Sequence, residues 1–321
     1  MMIELPGLFD LQVNGFGGID FNAPGLTADG VCEALDRMRA TGVTRCLPTL
    51  ITSSFEQFAA SARVLASMSH EAIAGIHMEG PYLAPEDGAR GAHPREHVQP
   101  ASVDDFKRRQ EVARGRIALV TLAPEVPGAM RLIEHLAVSD VRVAIGHTAA
   151  APTQIAEAIA AGATLATHLG NGCAQMLPRH PNVIWELLAA DAVFASVIVD
   201  GHHLPPATVK AMVRAKGTHR TILVTDAVAA AGSTPGRYTI GAVDCALDEH
   251  GRVSLPGTPY LAGSALTLDR AIANTVRFTG LSIQDVIPMA STIPATYVGI
   301  KAAGTVIADW NPERHELHIR S

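Results

Sequence analysis

Short apolar runs alternate along the chain with longer stretches whose apolar residues recur every three or four positions. The runs fall at 8–13 (LFDLQV), 43–49, 72–79, 116–122, 141–147, 163–168, 193–199 and 220–226. They are apolar on both faces of the strand they predict, as in a parallel sheet buried on each side. Segments 28–40, 55–68, 152–161, 183–190 and 205–216 read as helices, and 265–278 as a helix after the last strand. Strands alternating with helices imply a parallel sheet covered by helices. Eight such units fit a closed (β/α)8 TIM-type barrel, which takes about 250 residues. A doubly wound open sheet is the runner-up. It usually carries a Gly-rich phosphate turn after its first strand. GFGG at 15–18 sits there but is not GxGxxG.

Two segments interrupt the rhythm. One is the loop 80–102, rich in Pro, Gly and His. The other is 227–262, which contains a predicted hairpin (YTIGAVDCALDEHGRVSL). Both follow strands, so in a barrel both lie at the catalytic face.

Composition narrows the class. Of 321 residues, 48% are apolar and 17% charged, which is enough apolar surface for a large core and excludes disorder. The net charge of −6 argues against a general nucleic-acid partner. No apolar run reaches the roughly 18 residues of a membrane span, and the first residues (MMIELPGLFD) show no signal peptide. Cys32, Cys46, Cys173 and Cys245 form no CxxC pair, which suits a reducing, cytoplasmic setting.

The predicted strand ends concentrate chemistry. They carry Gln12 and Asn14, Glu79, His147, His168, then Asp200, His202 and His203, and finally Asp226. In a barrel these ends converge on one mouth, where active sites are built. Glu79, His147 and His168 make a His2Glu set, suited to one divalent metal ion such as zinc with an open position for water. Iron, manganese and cobalt suit the same ligands. Asp226 is free to move protons. Each residue has a plainer role as a satisfied polar group at a strand end. Their coincidence within apolar runs favours a shared metal, because an unpaired buried ionisable group is costly. His77 shares a strand face with Glu79, as a support for it or a further ligand.

These residues sit in stretches that resemble the amidohydrolase superfamily and, within it, the N-acetylglucosamine-6-phosphate deacetylases. The stretches are PGLFDLQVNGFGGIDF (6–21), HMEGPYL (77–83), VTLAPE (120–125), GHTAA (146–150), ATHLGN (166–171), DGHHL (200–204), LVTDAVAAAG (223–232), LAGSALTLDRAIAN (261–274) and MASTIPATYVGI (289–300). They occur in family order and cover nearly the whole barrel. The resemblance implies that Glu79, His147 and His168 bind metal and that Asp226 is the catalytic aspartate. It also implies substrate contacts. His203 touches the substrate, Asn171 and Gly172 hydrogen-bond it, His93 lies near the acetyl group, and Arg179 binds a phosphate. The superfamily's second-metal motif HxH reads Gln12-Val13-Asn14 here, like the deacetylases that use a single metal.

The implied reaction is hydrolysis of the N-acetyl group of an amino-sugar phosphate by a homodimer, with Arg179 reaching across its interface. Departures touch the pocket. THLGNGCAQM replaces the usual THLYNAM, and RHPNVIW the usual REPG. The family also carries a small β-rich domain built from segments before and after the barrel. The expectation here is a barrel over 1–300, with that domain reduced to a remnant in 301–321. Another N-acetyl amino sugar or an N-acyl amino acid is an alternative substrate, and a sugar-binding barrel without turnover is a further reading.

Overall fold

The computed structural model describes residues 1–258 and 260–320. Eight parallel strands, in sequence order around the sheet, occupy Leu8–Val13, Val43–Ile51, Ile76–Glu79, Ile117–Leu122, Arg142–Ile145, Leu165–Ala166, Phe194–Val197 and Thr221–Leu223. The ring closes beyond the end of the eighth strand. Val13 bridges Ala227, the Asp226 amide donates to the Gln12 carbonyl at 2.9 Å, and the Asn14 amide donates to the Ala227 carbonyl at 2.7 Å. The expected (β/α)8 barrel is the observed fold.

The predicted helices form with small shifts at their ends, for example Ala28–Arg39 and Phe55–Ser67. Two more, Val103–Val112 and Ala129–Val138, precede and follow the strand Ile117–Leu122. The hairpin expected in 227–262 is present and carries a third strand. Gly236–Ile240, Val243–Leu247 and Val253–Ser254 pair antiparallel. Its inner face forms a second small core with Ile51 and Ala262. The four cysteines are free thiols. Among the described residues no helix is long and apolar enough to cross a membrane.

Two expectations change. The fifth, sixth and eighth strands end at Ile145, Ala166 and Leu223, short of the predicted 147, 168 and 226. His147, His168 and Asp226 instead follow the strands with φ of 51°, 30° and 50°. A pleated strand would alternate its side chains between faces; the left-handed turn re-aims each of them at the mouth. The second change concerns the termini. Met2–Pro6 is a strand, paired antiparallel with Thr305–Asn311, which pairs in turn with Glu316–Ile319. Leu5, Val306, Ala308, Trp310 and Leu317 from this sheet join the barrel's own core.

Asp10 ties the first strand to the eighth just below the mouth. It is buried and accepts hydrogen bonds from the Gln12 amide and from the Thr225 amide and hydroxyl. Burial pushes its carboxyl up from the ordinary 3.8 to about 7, against those hydrogen bonds. The folded protein therefore holds this proton more tightly than the unfolded chain. Its contribution to stability is full below about pH 4 and is lost as the pH rises through about 7. Asp10→Asn should flatten the fall in Tm between about pH 5 and about pH 8. An unchanged slope in thermal melts across that range would contradict this account.

Candidate active site

Glu79 ends the third strand and is buried at the floor of the mouth. Its Oε1 lies 3.0 Å from His168 Nε2 and 3.3 Å from His147 Nε2, and those two nitrogens are 3.1 Å apart. His147 Nδ1 bonds the Ala89 carbonyl at 3.0 Å. That nitrogen must carry the proton, so Nε2 keeps a lone pair facing the other two atoms. Two glycines with positive φ allow this. A Cβ on Gly91 or Gly172 would come within 3.1 Å or 2.9 Å of the His147 ring. Three Lewis-basic atoms converging in a buried site, two of them imidazole nitrogens aimed at each other, repel unless a cation lies between them. The three residues each offer a ligand atom within 4.8 Å of the others, so the donor set fits a divalent metal ion.

Burial opposes ionisation of Glu79, but the hydrogen bonds and charge of His147 and His168 hold its carboxyl well below the usual range. His168 is held above its ordinary value, Glu79 outweighing burial. His77 is not a ligand. Its Nδ1 donates to the Leu11 carbonyl at 3.1 Å, and its Nε2 accepts from the Thr121 hydroxyl at 2.8 Å, so both nitrogens are engaged. Burial lowers it to about 4 and keeps it neutral.

Asp226 faces this set from the turn beyond the eighth strand. Its Oδ1 accepts from Asn14 Nδ2 at 2.7 Å and from Gln12 Nε2 at 3.3 Å, and Gln12 Nε2 also donates to Glu79 Oε1 at 2.9 Å. Burial, then the charge of Glu79, raises the Asp226 carboxyl to about 6. Sequence reasoning placed Gln12 and Asn14 at a strand end without giving them this role, and their position there was the available signal.

The remaining predicted residues divide. His93 comes in from the loop 80–102, with Nε2 3.2 Å from His147 Nε2 and Nδ1 2.9 Å from the Thr52 hydroxyl. Burial, then His147, lowers it to about 3. Arg90 donates to the His93 carbonyl at 2.7 Å and pairs with Asp87, which fixes the loop. His203 is oriented by Asp200, Nδ1 to Oδ2 at 2.7 Å. His93, Asn171, Gly172, His203 and Asp226 all line one cavity of about 770 Å³ over the metal ligands. Arg179 does not line it. That residue is exposed on the loop before the helix Val183–Ala189.

A barrel with such a mouth is the architecture of the metal-dependent amidohydrolases. No protein-family model matches the chain. It is 34% identical over 310 residues to the N-acetylglucosamine-6-phosphate deacetylase of Bacillus subtilis (strain 168), covering 93% of this chain and 76% of that protein. It is 32% identical over 304 residues to the N-acetylgalactosamine-6-phosphate deacetylase of Escherichia coli O157:H7, covering 92% and 78%. Among solved structures, an N-acetyl-D-glucosamine-6-phosphate deacetylase variant from Mycobacterium smegmatis, in complex with N-acetyl-D-glucosamine-6-phosphate, superposes with a TM-score of 0.91 at 30% identity. That match covers 99% of this chain and 85% of the other. The chain belongs to the N-acetylglucosamine-6-phosphate deacetylase family, a family of hydrolases.

The donor set makes a direct prediction. His147→Ala should purify with little bound divalent metal, whereas Asp226→Asn should retain it. Elemental analysis of both proteins checks this, and equal metal content in the two would refute the ligand assignment.

Proposed function

We propose that the chain hydrolyses the N-acetyl group of N-acetylglucosamine-6-phosphate, releasing acetate and glucosamine-6-phosphate. The observation that carries this reading is Asp226 held beside the Glu79–His147–His168 set, in a family whose relatives bear that activity in their names. An amide is a weak electrophile and its nitrogen a poor leaving group. Glu79, His147 and His168 would hold a divalent cation, zinc first among candidates, which when bound would supply Lewis acidity and lower the pKa of water towards neutral.

The chain's own residues do the rest. Gln12 and Asn14 both donate to Asp226 Oδ1, which leaves Oδ2 to take the proton of the attacking water and pass it to the departing nitrogen. His93 borders the ligand set, where the acetyl oxygen gains charge. Asp200 fixes the ring of His203 so that Nε2 is available to the sugar. Asn171 and Gly172 line the same cavity and border the sugar there.

Arg179 is read as the phosphate ligand. A planar guanidinium suits a phosphate well. Because Arg179 lies outside the cavity of its own chain, a second copy would supply it, as a homodimer allows. Four free thiols support a cytoplasmic setting. The terminal sheet, built from segments before and after a barrel within 1–300, is read as this chain's version of the family's small β-domain. The relative named for N-acetylgalactosamine-6-phosphate favours a second reading, in which the 4-epimer is the substrate.

Two experiments test these readings. Asp226→Asn should lose about 10²–10⁴-fold in kcat on N-acetylglucosamine-6-phosphate. Full activity would rule out the assigned proton transfer. Arg179→Ala should raise KM for the phosphorylated sugars at least tenfold and leave that for free N-acetylglucosamine nearly unchanged, roughly the scale of a lost charge-assisted contact. Assaying both epimers side by side identifies the preferred sugar.

A further inference from the structure

The walls of the cavity differ in character. Asn171, Gln175 and His203, all able to hydrogen-bond a sugar, line it together with the apolar Leu177, Ile184 and Ile198. A contiguous apolar part of the lining comes mostly from the three-stranded insert, which also contributes Tyr260. Ile51, Ala92, Ile240, Val243, Leu255 and Ala262 line the cavity there. Strand alternation builds this surface. Val243, Cys245 and Leu247 face inward opposite Ile240, Tyr238 and Gly236, while Asp244 and Arg237 face out. Ile51, Ile240 and Ala262 also belong to the insert's own packed core, and Ala92, Val243 and Leu255 pack against it, so the wall is fixed in place.

This wall adjoins the reacting groups at both ends. Ala92 precedes His93, and Ile51 precedes Thr52, whose hydroxyl bonds the His93 ring at 2.9 Å. Ala262 and Gly263 precede Ser264, whose amide donates to the Asp226 carbonyl at 2.9 Å. Sugar hydroxyls or a phosphate laid on it would lose water and find no partner, which is costly. The part of an N-acyl amino sugar that suits it is the acyl chain, and an acetyl group offers one methyl to a wall of six residues. A cavity of about 770 Å³ is also generous for one acetylated monosaccharide, since ligand sites span about 300–1,000 Å³ up to drug-sized molecules.

We propose that the insert wall is an acyl-chain subsite and that the enzyme hydrolyses N-acyl amino-sugar phosphates with chains longer than acetyl. This rests on the deacylase reading above. The chemistry is unchanged: water adds its oxygen to the acyl carbon, the C–N bond breaks, and the proton water gives up passes through Asp226 to the departing nitrogen, leaving the free acid and the amine. Each buried methylene can add up to about fourfold to kcat/KM, balanced against the freedom the chain loses.

The test compares N-acetyl-, N-propionyl- and N-butyryl-glucosamine-6-phosphate on metal-loaded enzyme. The expected result is a kcat/KM for the butyryl compound at least one tenth of that for the acetyl compound; a smaller ratio overturns the subsite. Val243→Trp and, separately, Leu255→Trp should each lower the butyryl-to-acetyl ratio at least fivefold. A ratio unmoved in both variants overturns the placement of the chain on this wall. Ratios measured on one preparation do not depend on how much of a variant folds. If the metal-loaded protein cleaves none of the three, the deacylase reading itself fails and the subsite falls with it. Cleavage of the acetyl compound alone leaves the deacylase reading standing and refutes only the subsite.

Discussion

An ionised carboxylate buried at the bottom of a protein cavity is unstable unless other groups supply what water no longer does. Glu79 is such a group, and much of the mouth is organised around it. Its Oε1 takes the Gln12 amide and lies against His147 and His168. Two of these partners are then held from behind. His147 is fixed by the Ala89 carbonyl. Gln12 sits beside Asp10, which receives its backbone amide. The charge that makes Glu79 a metal ligand is thus the charge that three other strand ends and a loop converge to satisfy.

Convergence has a backbone cost. Three of the site residues, His147, His168 and Asp226, sit at positive φ, where residues with a Cβ are disfavoured by about 1–2 kcal/mol each. The ring closure offsets this locally. The Asp226 amide and carbonyl bond Gln12 and Ser264, and the His168 amide donates to the Ser196 hydroxyl at 2.8 Å. The turn that strains the chain also aims each side chain at a common point, so strain and site are one feature.

Much of this was legible in the sequence. Apolar runs on both strand faces identified eight strands, and reading their ends located the metal ligands and Asp226. The missing details have physical causes. Val103–Val112 (VDDFKRRQEV) buries only Phe106 and Arg109, so its pattern carries almost no apolar stripe. Met2–Pro6 pairs with a strand some 300 residues away, and no local rule reports such a partner. The strand ends were overrun because His147 and Asp226 continue apolar runs, although their backbone has already left the pleat. Arg179 follows a motif in one dimension, while its place outside the cavity depends on how the 177–182 loop folds.

The insert shows why the pocket can change while the centre does not. Its packing is largely internal, a small core separate from that of the barrel. It is tied to the barrel where the Gly241 amide and the Thr239 hydroxyl donate to Asp20 at 2.7 and 3.4 Å and where His202 Nε2 meets the His250 carbonyl at 3.2 Å, and its base runs back into the closure at Ser264. Substitutions on its inner face therefore alter the apolar lining of the cavity without disturbing Glu79, Gln12 or the strand ends. Reaction and specificity rest on different cores. The apolar side of the cavity is accordingly the part of this site least constrained by the chemistry, and the part where this chain has most freedom to differ from its relatives.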